Sequence, residues 1–458
     1  MLFNTLTFFA LFLPTLITYW LLPWQRFRLI LLLVASLVFY AYHHWPSVIL
    51  LIFTITFNYA VGKLQTTKNS KFLMIFAVIA NFSILAWFKY AAFFAQNINF
   101  IFGSLKVDIA LPIPPTFLPL GISFFTFQVV AYQIDIYRRE VKAEQSFLTF
   151  AVFKCFFPQL IAGPIVRAKD FLPQLHKKIY FDAISFHQGL WLILVGLALK
   201  VGVADVLAQF ADNAFQSPEK LSTIGAWTGL YAYAFQLYAD FWGYSTIAVG
   251  LAALFGLALP LNFDTPYASL SIQEFWRRWH ITLSVWFRDY VYIPLGGNRH
   301  NQITNLLITM SLAGLWHGAG WTFIIWGLGH GVWLILEHKF SINNKFFNET
   351  KLGRFLRLFL VFHCVCLLWV FFRASSISIA SEYFARLLLP PFNTSQVPTI
   401  LIFWLVIFAI FQKYIAKTLS KNNFVNLPLK KQWMLCLLSI YLILVYAGAK
   451  VDFIYFTF

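Results

Sequence analysis

The chain is patterned as long apolar runs separated by short polar breaks. Stretches near residues 2–22, 28–43, 46–62 and 72–88 are apolar throughout, and each approaches the roughly 20 residues that a helix needs to cross a hydrocarbon core of about 30 Å. More such runs follow toward the C-terminus. Basic residues fall in alternate breaks: Arg26 and Arg28 in the first, neither Lys nor Arg in His43-His44-Trp45-Pro46, then Lys63, Lys68 and Lys71 in the third. Short cytoplasmic loops carry the excess of Lys and Arg, so the N-terminus is expected outside. Lys351, Arg354 and Arg357 precede one late span, while Lys413, Lys417, Lys421, Lys430 and Lys431 lie between the last two. The same rule puts the C-terminus outside. With no basic residue before it and no small-residue cleavage site after it, the first run reads as a retained span rather than a signal peptide.

From about 110 to 340 the apolar pattern is broken by Pro, Gly and charge, as in Leu118-Pro119-Leu120-Gly121, Phe157-Pro158-Gln159 and Ala162-Gly163-Pro164. Irregular backbone at membrane depth persists only where protein buries it or a wet cavity borders it. The expectation is therefore one membrane domain over residues 1–458, with peripheral N-terminal helices to 110, a catalytic core over 111–340 and C-terminal helices over 341–458. Within the core, Ile272, Phe275, Trp276, Trp279, Leu283, Trp286 and Tyr290 recur at three and four residues, which predicts an amphipathic helix over 272–290. Rich in Trp and Arg, it suits the cytoplasmic membrane interface.

Composition closes off the soluble classes: 60% of the 458 residues are hydrophobic, 20% aromatic and only 11% charged, far from ordinary globular usage. The formal net charge of +17 would suit nucleic acid, but the excess lies in loops between apolar spans. Positive-inside sorting and contact with the lipid bilayer account for it, and no nucleic-acid partner is expected. Cys155, Cys364, Cys366 and Cys436 all sit in apolar stretches at no metal-ligand spacing and read as small hydrophobes.

Candidate chemistry stands out against this background. Between Leu306 and Leu336 the only ionisable side chains are His317 and His330, and an ionisable group at membrane depth is a functional hypothesis by default. His317, in Gly314-Leu315-Trp316-His317-Gly318, reads as a general acid or base, because desolvation favours the neutral imidazole that accepts a proton. The alternative is a histidine that only bonds a neighbouring helix. The two histidines are thirteen residues apart with no Cys or carboxylate between them, so no metal is expected. His280, in Trp276-Arg277-Arg278-Trp279-His280, either orients a substrate, shares proton transfer, or bonds headgroup and backbone. Arg277 and Arg288, eleven apart, fall about 20° from eclipsed on a continuous helix. With Arg278 and Arg299 they form a cluster suited to a diphosphate donor or to lipid phosphate, Glu274 then pairing with Arg278. Asp240 is the only acidic residue between Glu219 and Asp264. At membrane depth it requires a partner, such as an Arg or His, and either orients a catalytic histidine or pins two helices.

Taken together, Phe275-Trp276-Arg277-Arg278-Trp279-His280, Trp286-Phe287-Arg288-Asp289-Tyr290, Ile293-Pro294-Leu295-Gly296-Gly297-Asn298 and Gly314-Leu315-Trp316-His317-Gly318-Ala319 resemble the membrane-bound O-acyltransferases. The resemblance is closest to the bacterial branch that serves alginate and peptidoglycan O-acetylation and teichoic-acid D-alanylation. Phe157-Pro158-Gln159-Leu160-Ile161-Ala162-Gly163-Pro164-Ile165 and the terminal Phe453-Ile454-Tyr455-Phe456-Thr457-Phe458 fit the same branch. It implies an all-α polytopic bundle of about eleven spanning or re-entrant helices around a thin central site between two funnels. It also implies that His317 and His280 are the family's two histidines. No tightly bound cofactor is expected; the acyl donor would be acetyl-CoA or an acyl carrier thioester arriving from the cytoplasm. A periplasmic or extracellular transferase partner would complete transfer to an envelope or exported polysaccharide. D-alanyl transfer, a transporter or flippase, and a non-catalytic scaffold of a secretion complex are the alternatives.

Overall fold

The computed structural model describes residues 1, 3–66, 69–114, 117–340, 350–390, 399–419 and 423–447. Lys68, Lys421 and the terminal Phe453–Phe458 stretch lie outside the described residues. Among those described, every regular element is helical. Six helices are long and apolar enough to cross a membrane: Pro46–Leu64, Ser70–Ser104, Ala183–Gln216, Lys351–Arg373, Leu401–Leu419 and Leu429–Tyr446. The chain is thus an all-α polytopic membrane protein. Its residues divide into two compact units, 1–189 with 248–260, and 190–247 with 261–458. Two of the three divisions fall inside the helices Ala183–Leu197 and Thr223–Leu254, and the third between Pro260 and Leu261 in the chain that follows.

In the first unit, the four leading apolar runs become the helices Leu6–Leu21, Gln25–Ala41, Pro46–Leu64 and Ser70–Ser104. Their starts follow ordinary chemistry: Thr5 accepts from the Phe8 N–H as an N-cap, and Pro46 opens the third helix, where its missing N–H costs nothing. Phe8, Phe12, Phe39, Phe157 and Phe255 interlock in the core with centroid separations of 5.6–6.0 Å. Of the broken Pro/Gly stretches, Phe157-Pro158-Gln159 and Ala162-Gly163-Pro164 are buried as expected, whereas Leu118-Pro119-Leu120-Gly121 is mostly half-buried. Gly121 adopts φ +71°, and a Cβ there would stand 2.7 Å from the Leu160 carbonyl oxygen, so both conformation and space demand glycine. Buried amides satisfy one another, Asn58 and Asn81 exchanging bonds of 2.9 and 3.0 Å while Gln133 donates to Asn58 at 3.0 Å.

The second unit is organised around a helical hairpin, Gln302–His317 and Trp321–Lys339. Glycines set its closeness. A Cβ on Gly314 would lie 2.2 Å from the Phe323 carbonyl oxygen, and one on Gly327 would lie 2.2 Å from that of Met310. Small residues let helices approach to backbone contact where no hydrophobic force separates helix from lipid. Gly314→Val should accordingly force the hairpin apart and cost about 1–3 kcal/mol, seen as a lower thermal midpoint in detergent. Gly103→Val, where a Cβ meets nothing within 4 Å, serves as the neutral comparison.

The predicted helix over 272–290 requires correction. It divides into Ile272–Arg278, Ile281–Phe287 and a π-helical turn Arg288–Tyr292. Trp279 is extended and His280 is left-handed at φ 41°, a costly conformation for a residue with a Cβ. Neighbouring chain makes the break worthwhile. The Ile281 N–H donates to the Asn262 carbonyl at 2.9 Å and the Asp264 N–H to the Arg278 carbonyl at 3.0 Å, while Thr282 Oγ1 donates to Asn262 Oδ1 at 2.6 Å. The apolar stripe survives the break, since every predicted member except Trp276 is buried.

Candidate active site

His317 closes the first hairpin helix, and Gly318 follows in extended backbone. A Cβ on Gly318 would lie 2.1 Å from the Phe323 ring, so any side chain at this turn would have to displace that ring. The imidazole is 4% exposed, packed edge-on against Trp316, Trp326 and Phe372 at 4.9, 5.1 and 5.0 Å. Its small exposed part faces a cavity of about 780 Å³, whose wall also includes Trp276, Arg277, Ser284, Arg288 and Glu337. The cavity is apolar near His317, at Met310 and Ala313, and polar toward Gln273, Asn298 and Gln302. Such a gradient suits a ligand with a small reacting end and a larger polar body.

The arginines separate by role. Arg277 and Arg288 share the cavity wall with His317 even though the helix that was to align them is broken. Both are exposed, and Arg288 Nε also pairs with Asp289 at 2.7 Å. Arg278 turns away: its guanidinium pairs with Glu274 at 2.7 Å and donates to Thr265 Oγ1 at 3.2 Å, the helix pair foreseen as the alternative. Arg299 is exposed on the following loop and does not belong to the lining of this cavity.

His280 is fully buried, its ring 4.5 Å from Phe241 and 6.0 Å from Trp316. It does not line the large cavity; its neighbour Ile281 does. The two histidines are nonetheless close, since the Trp316 indole touches both rings. His330 is also fully buried, enclosed by Phe275, Trp276 and Trp326 at 6.0, 5.0 and 4.9 Å. Asp240 pairs with Lys200 at 2.8 Å, and the same ammonium pairs with Asp205 at 2.8 Å. Its partner is therefore a lysine, where an Arg or His was expected.

Two supports were not read from the sequence. Glu337 accepts from the N–H groups of Ile272 and Gln273 at 3.0 and 3.1 Å, so a carboxylate on the hairpin caps the N-terminus of the short helix bearing Arg277. The only hint was an acidic residue at the end of an apolar run. Lys200 lies in the π-helical turn Ala198–Ala204, and its position in an apolar stretch was an equally available sign.

Comparison with known proteins identifies the family. Residues 79–371 match the MBOAT, membrane-bound O-acyltransferase family; the chain belongs to that family and is a membrane O-acyltransferase. It is 40% identical over 390 residues to a "Probable alginate O-acetylase" of Pseudomonas aeruginosa, covering 83% of this chain and 73% of that one. Similarity to a peptidoglycan O-acetyltransferase of Helicobacter pylori is also 40%, over 418 residues, covering 83% and 78%. A teichoic acid D-alanyltransferase of Streptococcus thermophilus is 32% identical over 288 residues, covering 55% and 68%.

Proposed function

We propose that this protein transfers an acetyl group from a cytoplasmic thioester, acetyl-CoA or an acyl carrier, toward the hydroxyls of an envelope or exported polysaccharide. The observation that carries the proposal is the shared cavity of His317, Arg277 and Arg288 in a chain of acyltransferase family. His317 takes the proton from the acceptor hydroxyl as its oxygen attacks the thioester carbonyl carbon. The C–S bond then breaks, and the imidazolium returns its proton to the leaving thiolate. A membrane enzyme that uses a cytoplasmic donor and an external acceptor needs access from both faces, with residues 111–340 as the catalytic core. We assign the protein to the bacterial inner membrane with both termini outside, and a periplasmic or extracellular partner to final transfer onto the glycan. His280, one indole away from His317, supports the proton-transfer geometry.

The experiment is the measurement of acids released by mild alkali from purified envelope polysaccharide, with and without the protein. Loss of acetate supports the proposal. Loss of D-alanine instead moves the assignment to the second reading, which the D-alanyltransferase similarity favours. No change in any released acyl group defeats both.

Donor binding makes its own prediction. Arg277→Ala combined with Arg288→Ala should raise the KM for a phosphorylated donor by roughly tenfold, because each is an exposed charge contact of about 1 kcal/mol or less. Folding should be unaffected. An unchanged donor dependence in inverted vesicles removes both arginines from donor binding.

A further inference from the structure

A second cavity, of about 530 Å³, shares Ile281 with the first as a lining residue. Trp242, Leu261, Phe263 and Ile281 give it an apolar wall, and Asp264, Lys413 and Lys417 bring charge to it. All three charged side chains are exposed. Lys413 and Lys417 are four residues apart on the helix Thr399–Leu419 and so share a face. That helix includes the candidate span Leu401–Leu419, whose 19 residues match a hydrocarbon core of about 30 Å. The lysines occupy its last two turns, from which their long side chains reach the level at which acyl chains give way to headgroups. Asp264 makes no ion pair among the described residues; the nearby Arg278 guanidinium reaches only its backbone carbonyl, at 3.4 Å, and pairs with Glu274.

Two cations and one unpaired anion above an apolar wall match a zwitterion attached to a hydrocarbon chain. We propose that this cavity binds a phospholipid whose headgroup carries both a phosphate and a primary amine, a phosphoethanolamine lipid. The phosphate lies at Lys413 and Lys417, the ammonium donates to the Asp264 carboxylate, and an acyl chain runs over Trp242, Phe263 and Ile281. A phosphoglycerol headgroup would leave Asp264 facing no cation, and a choline headgroup has no N–H to donate. This site is separate from the acyl-transfer reading and does not depend on it.

The test is native mass spectrometry of the purified full-length protein, offered equimolar phosphatidylethanolamine, phosphatidylglycerol and phosphatidylcholine with identical acyl chains. The wild-type protein should retain phosphatidylethanolamine about fivefold over each of the others, the yield of one exposed charge pair. Asp264→Asn should abolish the preference over phosphatidylcholine, and Lys413→Gln with Lys417→Gln should lower retention of all three. Equal retention of the three lipids by the wild type overturns the proposal without recourse to any variant. A preference for phosphatidylglycerol overturns the pairing of Asp264 with an amine. Displacement of bound lipid by coenzyme A would give the lysines to a phosphorylated donor and overturn it likewise.

Discussion

His317→Ala is expected to lower the rate of acyl transfer by about 10² to 10⁴, the usual contribution of a positioned general base. The measurement is alkali-released acetate from envelope polysaccharide at matched protein level in the membrane. The hairpin delivers the imidazole to the cavity beside Met310 and Ala313, with Gly314 and Gly327 holding its two helices at backbone contact and Gly318 fitting the turn against the Phe323 ring. Its removal therefore takes away chemistry while leaving the frame. His317→Gln sharpens the test, because an amide can hydrogen-bond an acceptor hydroxyl yet cannot take its proton. Equal loss in both variants supports proton transfer, whereas an active His317→Gln would reduce the residue to positioning. A scaffold predicts full acetylation in either variant.

How much of this could be read from the sequence depended on whether the determining contacts were local. Apolar run length is a local property, and the first three helices lie close to where the runs place them, while the fourth, Ser70–Ser104, continues well past its run at 72–88. His317 stood out for a similar reason: it is one of the two histidines that are the only ionisable groups in a long apolar run, conspicuous without knowledge of any partner, although the run alone does not rank it above His330. The break at Trp279 and His280 was not legible. Period, propensity and the Glu274–Arg278 pair all favour a continuous helix there, and the interruption is made by Asn262 and Asp264, more than a dozen residues upstream. Arg277 and Arg288 still reach one cavity, by a route different from the helical alignment that nominated them. Asp240 shows the opposite limit. Its need for a partner followed from its place in an apolar run at membrane depth, but which cation supplies it is a tertiary fact held by Lys200.

Lys200→Met is expected to cost about 3–5 kcal/mol, the range for removing one partner from a buried ion pair. Lys200, Asp205 and Asp240 are only 3, 1 and 2% exposed, so water cannot screen the two carboxylates left behind. The location magnifies the loss. A Cβ on Gly243 would lie 2.7 Å from the Gly196 carbonyl oxygen, so two helices touch at these glycines, and the Lys200–Asp240 pair bonds them one turn further along. The measurement is the yield of monodisperse protein and its thermal midpoint in detergent. Replacing Asp205 and Asp240 by Asn alongside Lys200→Met removes the orphaned charges and should recover most of the loss, since a neutral buried set of similar volume is often as stable as the ion pair. A tolerated single variant would mean that the triad bears little of the fold. If the triple variant folds and still acetylates, Asp240 pins helices and has no part in orienting a catalytic histidine; if it folds but is inactive, the carboxylate contributes to the reaction through its charge.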